Sequence, residues 1–90
     1  MNRETARQIN EAAVAAYFFR EGVAKRLSFE QIALLKSVSA AQIQTATEVV
    51  EAENDEQFRK PGSRTISMYV SEQEALRIKE FAGTLPGASS

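Results

Sequence analysis

Ninety residues make one domain, and a chain this short buries only about 60–65% of its extended surface on folding, so a partner chain would add stability. The apolar fraction of 43% is that of a globular protein, and there is no cysteine and no histidine. Those absences exclude disulfides, thiol catalysis, the commonest zinc ligands and the commonest general base.

The formal net charge is −1, and its distribution says more than its total. Residues 1–47 hold six bases and four acids, residues 48–56 hold five acids and no base, and residues 57–90 hold five bases and three acids. The first apolar run, Ala12 to Phe19, is too short for a bilayer and follows acids that a secretory leader would not carry. A cytoplasmic protein without membrane contact is the expectation.

Along the chain, Ile9, Ala13, Ala16 and Tyr17 recur at helical spacing and predict a first helix over about 3–20, with Gly22 as its stop. Three serines then mark helix starts. Ser28, Ser39 and Ser71 are each followed three residues later by Gln31, Gln42 and Glu74, the pattern of a capping box. Leu27 with Ile32, and Val38 with Ile43, add hydrophobic staples. Helices are predicted over about 29–36, from 40 to about 56, and over about 72–82. Residues 60–63, Lys-Pro-Gly-Ser, read as a turn. Between them and Ser71, residues 64–70 alternate, with Ile66, Met68 and Val70 on one face, as in a half-buried strand. One strand cannot satisfy its own ladder, and the same strand of a second copy is the simplest partner.

Two short capped helices joined by a tight turn form a helix-turn-helix. On this reading Ala33 is the small residue that lets the two helices cross closely, and Ile32, Val38 and Ile43 fill the wedge. The later helix then projects its first turn as a reader of the major groove. Ala40, Ala41, Gln42, Gln44 and Thr45 are the candidate base-reading residues, because glutamine can pair with adenine and small methyl-bearing side chains can touch thymine. Lys25, Arg26, Ser28, Gln31, Lys36 and Ser39 are the candidate phosphate contacts. Ser37 stands where such turns usually carry glycine. Ile66, Met68, Val70, Leu76, Ile78 and Phe81 are the candidate dimer contacts. The serines read as caps rather than nucleophiles, since no base is placed to activate them. No catalytic residue, metal site or cofactor is expected.

In this pattern and order the chain resembles the plasmid KorA/TrfB repressors. The residues that carry the likeness run from Phe29 to Ile43 for the reader and from Gly62 to Phe81 for the dimer element. The resemblance implies a homodimer that binds a palindromic operator and represses plasmid or phage genes. Residues 64–82 are also similar to the first half of a ribbon-helix-helix protein, in which paired strands enter the groove. Only eight residues follow Ala82, too few for the second helix of that fold.

The expected fold is therefore mainly α: a helix-turn-helix core, then one β-strand and a C-terminal helix that form an intersubunit two-stranded ribbon in a homodimer. Within one compact domain, residues 1–58 are the helical reader, 59–63 a turn, 64–82 the dimerisation element and 83–90 a mobile tail. The expected function is sequence-specific DNA binding in transcription regulation. The competing class is a small phage or plasmid protein that blocks a host protein.

Overall fold

The structure is a computed structural model that describes residues 1–58 and 70–85. Four helices follow in order: α1 (Arg3–Arg20), α2 (Phe29–Ser37), α3 (Ala40–Phe58) and α4 (Glu72–Thr84).

Each helix start is fixed by a side chain that satisfies an otherwise orphaned amide. The Thr5 amide donates to Asn2 Oδ1 at 2.7 Å. At α2 both arms of the capping box form: the Gln31 amide donates to Ser28 Oγ, and the Ser28 amide donates to Gln31 Oε1. At α3 the same pair forms between Ser39 and Gln42, at 3.2 and 2.8 Å. At α4 only one arm forms, from the Glu74 amide to Ser71 Oγ. The Glu74 carboxylate turns instead to Arg20 at the end of α1. The stop of α1 is a Schellman motif. The Val23 amide donates to the Phe18 carbonyl at 2.8 Å and the Gly22 amide to that of Phe19 at 3.1 Å. Gly22 sits at φ +78°, a conformation that glycine adopts without steric cost.

The core is built from small residues on α1 and larger ones on the other helices. Ala6, Ala12, Ala13 and Ala16 are fully buried on α1, together with Ile9. They face a cluster containing Leu35, Val38, Ile43, Ala46, Val70 and Ile78. The most extensive helix–helix contact is between α1 and α3, which the alanine face permits by leaving little side chain between the two backbones. One polar pair is buried in this region. The Thr47 hydroxyl, with a single proton, has Asn10 Oδ1 and the Ile43 carbonyl as acceptors, both at 3.0 Å. Helix α4 packs across α1, α2 and α3.

Four expectations are corrected. First, the described residues are all-α in class and contain no strand, so the helix-plus-strand fold with an intersubunit ribbon is not what they show. The turn at 59–63 and the alternating residues 64–69 lie outside the described residues. Val70, the end of that alternation, is a non-helical residue before the Ser71 cap, and it is fully buried in the chain's own core. Period-2 alternation ending in a valine is satisfied as well by one apolar anchor as by a ladder. Second, Ala33 is exposed. Helices α2 and α3 touch each other least of all the helix pairs, and both lean on α1; the close approach is made by the alanines of α1. Third, α2 includes Ser37, and the residue after it, Val38, is extended at φ −106°. The turn needs no left-handed residue, so serine is tolerated where glycine is usual. Fourth, α4 runs through Gly83 to Thr84; residues 86–90 lie outside the described residues.

Candidate nucleic-acid interface

The start of α3 follows directly on a two-residue turn, and its box holds the first turn rigid. Ala41, Gln42 and Thr45 are exposed there, and Ala40 and Gln44 are half-buried. Ile43, Ala46 and Thr47 face inward, so the outward stripe is set by helical period. The stripe offers methyl groups, a hydroxyl and two amides, and no charge. One turn further Glu48 is exposed, and Asp55 and Glu56 follow. Any approach to a polyanion is thus confined to the first two turns of the helix.

The geometry limits what Gln42 can do. Its Oε1 already accepts the Ser39 amide at 2.8 Å, so one lone pair of that oxygen and the amide NH2 remain. The NH2 can donate to an acceptor on a base edge. The bidentate pairing with adenine expected from sequence would have Oε1 accept from the Ser39 amide and the base together.

The other candidates separate into two places. Lys25, Arg26 and Ser28 lie on the loop between α1 and α2 and line one groove with Phe19, Phe29 and Leu85. Lys25 and Arg26 are exposed. Ser28 and Gln31 are occupied with each other in the α2 box. Lys36, expected at phosphate, is half-buried, and its Nζ donates to the Leu85 carbonyl at 3.0 Å. Lys79 returns the contact from α4: its Nζ donates to the carbonyls of Leu35 and Lys36 at 2.9 and 2.6 Å. Each of these two helices thus lends a cation to the carbonyl end of the other, where the helix dipole favours positive charge. Nothing in sequence spacing announces this exchange, because its partners are more than 40 residues apart.

Of the candidate dimer contacts, Val70 and Ile78 are fully buried within the chain. Phe81 is half-buried against Phe19, with ring centroids 5.9 Å apart. Val70 and Ile78 belong to the chain's own core, and Phe81 packs against it. Leu76 alone is open, at 49% exposure; Ile66 and Met68 lie outside the described residues.

Among the described residues no group of three or more acidic or cysteine side chains is placed to hold a metal ion. No described helix is long and apolar enough to cross a membrane. No family model, curated protein or solved structure matches this chain.

Proposed function

We propose that the chain is a small cytoplasmic DNA-binding regulator of transcription, reading a duplex with the first two turns of α3. The observation that carries this is the outward stripe Ala41, Gln42 and Thr45 at a rigidly capped helix start, beside a short preceding helix. The uncharged stripe suits base edges, where selectivity comes from hydrogen bonds and methyl contacts. The cations Lys25 and Arg26 supply the attraction to phosphate. Two chains on a palindromic site is the stoichiometry that the reading expects, and regulation follows from occupying a promoter.

Selection from random duplexes, with the mass of the complex measured, tests the proposal. A recovered consensus that binds at low salt supports it; no enrichment at any salt concentration refutes it. One substitution separates reading from folding. Gln42→Glu keeps an oxygen to accept the Ser39 amide, so the cap survives and thermal stability should change little. It replaces the Gln42 amide donor with a carboxylate oxygen. Specific binding should weaken by about 1–3 kcal/mol, roughly five- to a hundred-and-fiftyfold. A stable Gln42→Glu protein with unaltered site preference would remove α3 from the reading role.

A further inference from the structure

A groove of about 450 Å³ runs along the loop between α1 and α2. Phe19, Leu27, Phe29 and Leu85 form its apolar part and Lys25 and Arg26 its charged rim. Phe29 is 70% exposed although it is a large aromatic at the first position of a helix. Neither cation makes an ion pair among the described residues. A duplex would engage the cations alone and leave the aromatic surface in water, so DNA binding does not account for this patch.

We propose that the groove docks an acidic peptide segment of a partner protein, with one large apolar side chain as anchor between Phe19 and Phe29. Charge complementarity selects the occupant: two unpaired cations beside an apolar floor call for carboxylates flanking an apolar residue. The chain's own remaining segments do not answer that description. Residues 59–69 contain Arg59, Lys60 and Arg64 and no acid, and residues 86–90 contain neither an acidic nor a large apolar side chain. A second copy offers its acidic α3, where Val49 and Val50 are partly buried against its own core, and on α4 the exposed Leu76 between Glu72 and Glu80. A chain that self-associates through this groove, with Phe29→Ser abolishing the dimer by mass, would overturn the proposal in favour of that occupant. The groove is open rather than enclosed, which suits a peptide better than a small amphiphilic molecule that must be mostly engulfed.

Display selection of random 12-residue peptides on the immobilised full chain tests the idea. The expected winners carry a Leu, Ile, Phe or Trp flanked by at least two Asp or Glu. A synthetic winner should lose at least tenfold in affinity against Phe29→Ser, and separately against the double variant Lys25→Glu with Arg26→Glu. All three positions are exposed, so circular dichroism should show unchanged helix content in both variants. Phe29→Ser should leave duplex binding as it was, which separates this surface from the DNA-reading helix. Failure to enrich any peptide overturns the proposal. So do winners that are basic or lack an apolar residue, and so does equal binding by the variants.

Discussion

Arg7 at the start of α1 and Glu53 on the far half of α3 meet at 2.5 Å, tying the two longest helices together along their length. The hydrogen bond from Arg7 holds the Glu53 carboxyl below its ordinary value. Burial pulls the other way and the nearby positive charge adds to the lowering. A carboxylate with a depressed folded pKa adds stability that is present above its ordinary pKa and lost as the pH falls through the folded value. The Arg7→Gln variant should therefore be less stable than the parent at neutral pH. That deficit should be constant above the ordinary carboxylate pKa and close progressively below it. Denaturant unfolding of both proteins across an acidic pH series measures the gap. A deficit that stays the same down to the most acid point would show that the ion pair is not its source.

At the scale of elements, the lysine exchange between α2 and α4 is what seats the last helix. The last carbonyls of a helix have no intrahelical donor, and here Lys79 covers two of them at the end of α2. Lys79→Met keeps the apolar stem and removes the charge-assisted bonds, which should cost about 1.5–3 kcal/mol. Arg77→Met on the exposed side of the same helix should cost less than about 0.5 kcal/mol. Comparable losses in thermal unfolding of the two variants would mean that the contact contributes nothing specific. This clamp has no local signature in the sequence. Helix starts were legible because Ser28, Ser39 and Ser71 act on amides three residues away, and Gly22 acts within its own turn. The buried stripe Ile9, Ala13 and Ala16 was legible from its period. The bond from Lys36 to Leu85 was not legible, because a lysine reads alike whether it meets a phosphate or a carbonyl brought in from 49 residues away. Ala33 was misplaced because a small residue permits a close crossing without requiring one. Val70 alternates like a strand residue, yet a single buried valine before a cap produces the same pattern.

For the molecule as a whole, charge sets a limit that the helices do not. Residues 1–58 and 70–85 contain eight bases and twelve acids. Several of those bases are already engaged, with Arg7, Arg20, Lys36 and Lys79 held by internal partners. Lys25 and Arg26 are left as exposed cations on the loop that precedes α2. A duplex-binding protein releases about 0.9 counterion for each phosphate it neutralises, and the exponent of the salt dependence counts them. With Lys25 and Arg26 as the phosphate contacts, the logarithm of the binding constant should fall against the logarithm of salt concentration with a slope of about −2 per chain. Replacing both with glutamine should bring the slope close to zero and weaken all sequences alike, leaving the preferred site unchanged. The opposite pattern is as informative. If the double variant changes the preferred site and leaves the slope intact, these cations are not phosphate contacts. The attraction to DNA must then come from elsewhere in the chain.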